Sequence, residues 1–96
     1  MEKKANIYRL QLETVATLKE DVPHQNIEFE FRNHDEVFGI IDAVKSKQIF
    51  ETEAEATEFA LGLKLFSEVM LKNKKLPLFE EFKPEFAKFM KKLKAS

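Results

Sequence analysis

The stretch TEAEATEFALGLKLFSEVMLK, residues 52–72, carries the strongest fold signal in this chain. Its apolar residues recur every three or four positions, a period that is typical of an amphipathic helix. Thr52, followed three residues later by Glu55, forms a capping-box pattern that places the start of the helix. The apolar stripe is broad enough to indicate packing on two sides, and it consists of Ala56, Phe59, Ala60, Leu63, Leu65, Phe66, Val69 and Met70.

The charges around this helix follow the helix dipole. Acidic residues at its start and basic residues at its end each stabilise it by about 0.3–1 kcal/mol when exposed. They are Glu53, Glu55 and Glu58, then Lys72, Lys74 and Lys75. Residues 1–63 hold seven Lys or Arg and thirteen Asp or Glu, a net charge of −6, whereas residues 64–96 hold nine Lys and four Glu, a net charge of +5. Much of this asymmetry therefore has a structural cause.

Two segments before the helix alternate between apolar and polar residues. Residues 6–14 set Tyr8, Leu10 and Leu12 against Arg9, Gln11 and Glu13, and residues 26–32 set Ile27, Phe29 and Phe31 against Glu28, Glu30 and Arg32. This period of two predicts two strands, each buried on one face. The polar segment 17–25 is too long for a tight turn, so we expect an antiparallel pair across a wide loop. Arg9 should then face Glu28 or Glu30.

Two shorter helices complete the predicted fold. Asn33 as N-cap with Glu36 three residues later predicts a helix through Val44 that fades near residues 45–48. Pro77 ends the long helix. In the interior of a further helix Pro84 would destabilise that helix by about 3 kcal/mol, whereas at its first position it would cost no stability. We therefore expect a turn at 78–82 and a helix at 84–94. The fold class is α+β: an antiparallel two-stranded sheet followed by three helices packed on one face, in a single domain of residues 1–96.

Both glycines, Gly39 and Gly62, fall inside predicted helices. Glycine costs about 1 kcal/mol there relative to alanine. We expect a packing reason, such as a ring or backbone lying where a Cβ would obstruct it. A conformational hinge is the alternative.

The aromatic residues predict the core. Phe supplies ten of them and Tyr one, with no Trp, which suits a dry interior. The predicted buried cluster contains Phe29, Phe31, Ile41, Phe59, Leu63, Phe66, Phe86 and Phe89. A second stripe, Phe79, Phe82, Phe86, Phe89 and Leu93, is explained by the same core, or by a face that binds a second chain or a ligand.

Residues with recognisable chemistry are scarce. The chain has no cysteine, its two glycines stand apart, and no second His or Cys stands at metal-ligand spacing from His24 or His34. None of the serines lies in a nucleophile-elbow context. The sequence therefore predicts no catalytic residue, no cofactor and no metal site. A small interaction or accessory protein without enzymatic activity is the best prediction. A cytoplasmic location is expected because the opening residues lead into the first strand pattern and not into an apolar signal core.

Two kinds of partner follow from the surface residues. The alternative function is a nucleic-acid-associated protein that contacts phosphates through Lys74, Lys75, Lys88, Lys91 and Lys92. That region has no Arg to contact base edges and no aromatic outside the apolar stripe, so nucleic acid is the weaker prediction. Two strands leave unpaired edges, and a homodimer that joins these edges, or that packs its Phe-bearing helices together, is the stronger prediction. No apolar run approaches the length of a bilayer, so no membrane partner is expected.

Three segments also resemble a family of short bacterial proteins of unknown function: FRNHDE at residues 31–36, GLKLFSEVMLK at 62–72 and PLF at 77–79. The resemblance extends from about Tyr8 to Leu93. It implies a small cytoplasmic bacterial protein. It implies no activity, cofactor or site.

Overall fold

A computed structural model describes residues 4–96 of the chain. The strands are β1 (Asn6–Glu13) and β2 (Asn26–Asn33), and the helices are α1 (Val37–Lys47), α2 (Glu53–Lys72), α3 (Pro77–Glu80) and α4 (Phe82–Ala95). The predicted α+β class, an antiparallel two-stranded sheet with helices, is confirmed. The described part of the chain has four helices where three were expected, because the predicted turn forms α3. It divides into two compact units, residues 4–35 and residues 36–96.

The first unit is a β-hairpin in continuous antiparallel register. Pairing runs from Asn6 opposite Asn33 to Glu13 opposite Asn26. Arg9 contacts both predicted carboxylates: its Nε lies 3.1 Å from Glu28 Oε1 and its Nη2 lies 3.1 Å from Glu30 Oε2. All three side chains are at least half exposed, so each ion pair contributes at most about 1 kcal/mol.

The apolar face of the hairpin is less covered than the sequence suggests. Tyr8, Leu10 and Phe31 are half-buried. Leu12 and Phe29, however, are 63% and 43% exposed. The expectation that each strand is buried along one whole face, and that Phe29 belongs to the buried core, is therefore wrong. The uncovered part lies toward the loop that joins the two strands.

The first residues of the second unit begin α1 differently from the prediction. The N-cap is Glu36, whose Oε2 accepts from the Phe38 N–H at 3.0 Å and whose Oε1 accepts from the Gly39 N–H at 3.2 Å. Asn33, the predicted cap, is still the last residue of β2, and its Oδ1 accepts from the Asp35 N–H at 3.1 Å. The chain must leave the strand before a helix can start, which moves the cap three residues on.

The start of α2 follows the prediction. Thr52 Oγ1 accepts from the Glu55 N–H at 3.1 Å, and the helix continues for 20 residues. Its small residues Ala56 and Ala60 are buried, and α1, which contributes the buried Val44, packs against this helix. A Lys45 Nζ to Glu53 Oε1 distance of 3.7 Å joins the end of α1 to the start of α2.

A single residue, Glu81, separates α3 from α4 where a turn at 78–82 is predicted, and its φ of −70° and ψ of −28° are themselves helical. The last helix begins at Phe82, two residues before the expected start, so that Pro84 is its third residue. A first-turn N–H has no partner within the helix, and proline therefore loses no hydrogen bond there. At the other end, Lys47 Nζ donates to the carbonyl oxygens of Lys94 at 3.4 Å and Ser96 at 3.0 Å. This places a positive charge at the negative end of the α4 dipole.

Candidate functional site

Aromatic side chains from α2, α3 and α4 form a continuous cluster in the helical unit. Phe66 is its centre: its ring lies 6.1 Å from Phe79, 5.8 Å from Phe82 and 6.3 Å from Phe86, each time edge-on. Phe89 extends the cluster along α4, with its ring 6.5 Å from Phe86. Edge-on rings at these distances attract one another by about 0.5–1.5 kcal/mol beyond their buried area. The rings therefore hold one another in place.

Most of this cluster is not a buried core. Phe66, Phe82 and Phe89 are 44%, 43% and 45% exposed, whereas Phe79 is buried. Of the eight residues predicted to be largely buried, Ile41 alone is fully so, while Phe31, Phe59, Leu63 and Phe86 are half-buried. The buried apolar residues among those described are Val37, Ile41, Val44, Ala56, Ala60, Met70 and Phe79. The core thus lies on the alanine side of α2, and the phenylalanines occupy another side.

The exposed rings line an apolar groove of about 440 Å³, which we call the aromatic groove. Its lining residues are Glu58, Phe59, Gly62, Leu63, Phe66, Phe82, Glu85, Phe86 and Phe89. Apart from the two carboxylates, the side chains in this lining are apolar. The arrangement can bind an apolar surface, and it offers no set of groups for acid–base or nucleophilic chemistry.

Gly62 leaves part of the groove open. A Cβ placed on Gly62 would meet no atom within 4 Å. At Gly39 the nearest atom would be Glu36 Oε1 at 3.9 Å, an ordinary contact. The expected packing reason for these glycines is therefore wrong. The sequence did contain a signal for the groove, because Gly62 lies on the same helical face as Phe59 and Phe66.

The polar residues of the groove are acidic. Glu58 and Glu85 are both exposed, and Lys88 Nζ lies 3.4 Å from Glu85 Oε1. The aromatic groove thus combines apolar walls with negative charge, a feature that the periodicity of the phenylalanines did not indicate.

The five candidate nucleic-acid lysines lie on two elements. Lys74 and Lys75 follow α2 and line a shallow depression of about 320 Å³. Lys88, Lys91 and Lys92 lie on α4 with spacings that place them along one side of the helix. All five are exposed, and one of them is paired with Glu85.

Two further kinds of site, a metal centre and a membrane span, have no counterpart in residues 4–96. The described residues contain no group of three or more His, Cys, Asp or Glu side chains that could hold a metal ion. None of the helices in this range combines the length and apolar character needed to cross a membrane.

Comparisons with known proteins agree with one another. A family model described as a domain of unknown function with a solved structure, DUF3861, matches residues 6–95. A crystal structure of a protein of unknown function from Pectobacterium atrosepticum is similar to this chain, with 37% sequence identity and a TM-score of 0.82. The match covers 96% of this chain and 99% of that one. No curated protein matches. With nearly its whole length matched, the chain belongs to the DUF3861 family of uncharacterised bacterial proteins.

Proposed function

We propose that this protein is a small interaction protein without enzymatic activity, and that its aromatic groove holds an amphipathic helix of a partner protein. The supporting observation is the exposure of Phe66, Phe82 and Phe89, which touch neighbouring rings and still present more than two-fifths of their surface to solvent. Contiguous apolar surface of this kind marks interaction sites in folded proteins.

The dimensions of the groove suit a helix. Phe59 and Phe66 lie seven residues apart on α2, which is about 10 Å along the helix axis, or two turns. A partner helix presents its anchoring side chains at i, i+3 or i+4, and i+7, and this set spans the same two turns. Its apolar face would pack on the rings, and the open space above Gly62 would accept one of its side chains.

The charge of the groove restricts the partner. Glu58 and Glu85 flank the apolar walls, so a helix with Lys or Arg beside its apolar face is complementary. A helix with acidic residues at the same positions would place like charges together. We therefore expect a basic amphipathic helix and not an acidic one.

The helix glycine is consistent with such a partner. Gly62 weakens α2 by about 1 kcal/mol relative to alanine, and no neighbouring atom of residues 4–96 requires its small size. A chain that approaches from outside would require it.

The test uses a synthetic helical peptide with Leu at the anchor positions and Lys elsewhere, titrated against the labelled protein by NMR. We expect the resonances of Gly62 and of the groove phenylalanines to shift. Gly62→Leu should weaken binding by about tenfold, or ~1.4 kcal/mol, by filling the groove. Gly39→Leu, at the other helical glycine, is the matched control and should leave binding unchanged.

Two results would overturn this proposal. One is equal binding of the Lys peptide by the wild type and Gly62→Leu. The other is preferential binding of a peptide that carries Glu in place of Lys. Binding of small aromatic molecules without binding of the Lys peptide would assign the groove to a small ligand instead.

The alternative, a nucleic-acid-associated function, rests on the exposed lysines of α4 and of the segment after α2. Binding to random DNA at low salt, with a steep loss on adding salt, would favour it. Glu80, Glu81 and Glu85 interrupt the basic surface and weaken this alternative. The cytoplasmic location and the single-domain organisation over residues 1–96 stay predictions.

A further inference from the structure

The hairpin shows which backbone groups of β1 point outward. The Thr14 N–H donates to the Gln25 carbonyl oxygen at 2.9 Å, and these two residues would be the next pair in the register. In an antiparallel ladder, residues alternate between bonding to the partner strand and pointing away from it. The outward N–H and C=O groups of β1 therefore belong to Ile7, Arg9, Gln11 and Glu13.

Three features that shield many edge strands are absent from the outer edge of β1 as the structure describes it. Edge strands are normally shielded by Pro, Lys or a bulge. The strand Asn6–Glu13 contains neither Pro nor Lys, and its register with β2 is continuous over all eight residues. No other strand among residues 4–96 pairs with it. A two-stranded hairpin is also marginal by itself in water, and additional strands would stabilise it.

We infer that β1 pairs antiparallel with β1 of a second copy of this chain. The two copies would be related by a two-fold axis and would form a four-stranded sheet in the order β2, β1, β1, β2. The inference is independent of the aromatic groove, which lies in the other compact unit.

The charges of β1 are complementary under this symmetry. A register centred on Gln11 sets Arg9 opposite Glu13 of the second copy, twice, and sets Leu10 opposite its Leu12. A register centred on Leu10 sets Leu10 opposite itself and Arg9 opposite Gln11. Neither register places like charges opposite each other, and cross-strand pairs of these types are stabilising.

The edge of β2 is less suited to pairing with itself. Its outward groups belong to the row that carries Glu28 and Glu30, by the same alternation. Registers centred on Glu28, Phe29 or Glu30 all set a carboxylate opposite a carboxylate. A register centred on Phe31 sets Glu30 opposite Arg32 but pairs only residues 29–33 of β2, whereas the register of β1 centred on Leu10 pairs residues 7–13 without like charges. Like charges directly opposite each other are destabilising, so β1 is the favoured edge.

A proline substitution can test the edge without breaking the hairpin. Gln11→Pro removes an outward N–H and leaves the hydrogen bonds to β2 in place. Proline is tolerated at such positions of edge strands. Sedimentation at increasing concentration should show the wild type rising from 11.3 kDa toward twice that mass, while Gln11→Pro stays at the lower mass.

Glu28→Pro is the matched control. It lies directly opposite Gln11, and both substitutions remove the Gln11 Nε2 to Glu28 Oε2 hydrogen bond of 3.3 Å. This variant should still dimerise, and circular dichroism should show both variants folded. If Glu28→Pro abolishes the dimer and Gln11→Pro does not, the edge is β2 and the inference is wrong.

The absence of cysteine from the chain permits a second test. Residues that face themselves across a two-fold axis lie within the Cα separation that a disulfide needs. Under mild oxidation, Leu10→Cys or Gln11→Cys should form a reducible covalent dimer, while Glu28→Cys and Phe29→Cys stay monomeric. A wild-type mass of 11.3 kDa up to millimolar concentration, or equal cross-linking at both edges, would overturn the inference.

Discussion

The ring of Phe66 lies edge-on to that of Phe82, with 5.8 Å between centroids and 74° between planes, yet the two residues remain 44% and 43% exposed. One belongs to α2 and the other begins α4. In this geometry the edge of one ring meets the face of the other, while both side chains keep more than two-fifths of their surface in solvent. The walls of the aromatic groove therefore support each other, and the proposed partner helix would meet a surface that is already formed.

The first prediction concerns the stability that Phe66 contributes. We expect Phe66→Ala to lower the free energy of unfolding by about 2 kcal/mol, below the 3–5 kcal/mol typical of a fully buried phenylalanine. The reason is that nearly half of this side chain is already in water. The denaturant midpoint measures the change, and Leu78→Ala, at a residue that is 77% exposed, is the control with little expected effect. An unchanged midpoint for Phe66→Ala would show that the ring contacts do not form.

Much of the secondary structure could be predicted because its signals are local. The alternation at Arg9 and Glu30 placed the strands and their facing pair, and Thr52 placed the start of α2. Burial could not be predicted in the same way. Periodicity shows that Phe59 and Phe66 share a face, but it does not show whether another element covers that face.

The prediction of which residues are buried was wrong for most of the phenylalanines, because in α2 two of the small alanines are buried and the large phenylalanine rings are not. The predicted stripe of α2 contains Ala56 and Ala60 beside larger residues, and these two alanines are buried in the helix against which α1 packs. Small side chains allow two helices to approach closely, so they become buried with little apolar area of their own. The predicted core places the large rings in the interior, so the prediction leaves no room for an exposed groove between them.

The second prediction concerns Gly62. Gly62→Ala should raise the free energy of unfolding by about 1 kcal/mol, because alanine stabilises a helix interior relative to glycine and a Cβ there meets no atom within 4 Å. Thermal unfolding measures the gain. Gly39→Ala should give a similar gain in α1, where the new Cβ makes only an ordinary contact. Destabilisation by Gly62→Ala would mean that the space above this residue is filled within the chain.

The third prediction concerns the end of α1. Gln48 adopts a left-handed conformation, with φ 54° and ψ 38°, and its N–H donates to the Lys45 carbonyl oxygen at 3.2 Å. Glycine adopts this conformation without the steric cost of a Cβ. Gln48→Gly should therefore raise stability by about 0.5–1 kcal/mol, and Gln48→Val should lower it. Chemical denaturation of both variants checks the sign, and a loss with glycine would contradict the left-handed cap.

The fourth prediction concerns Pro84. Because it lies in the first turn of α4, Pro84→Ala restores no hydrogen bond within the helix. We expect stability to change by less than about 1 kcal/mol. A rise of several kcal/mol in the free energy of unfolding would show that Pro84 interrupts a longer helix that runs through α3 and α4.

The last prediction uses one substitution at two positions of the same helix. Thr52 Oγ1 accepts from the Glu55 N–H at 3.1 Å, whereas Thr57 Oγ1 donates to the Glu53 carbonyl oxygen at 2.9 Å from inside the helix. Thr52→Ala leaves an N-terminal donor without its cap and should cost about 1 kcal/mol. Thr57→Ala removes a β-branched residue whose hydroxyl only shares an acceptor that the helix already uses, and it should be neutral or stabilising by about 0.5 kcal/mol. Denaturant unfolding of the two variants beside the wild type should thus show a loss of stability for Thr52→Ala and none for Thr57→Ala. A Thr52→Ala variant as stable as the wild type would show that the hydroxyl at Thr52 does not act as the cap.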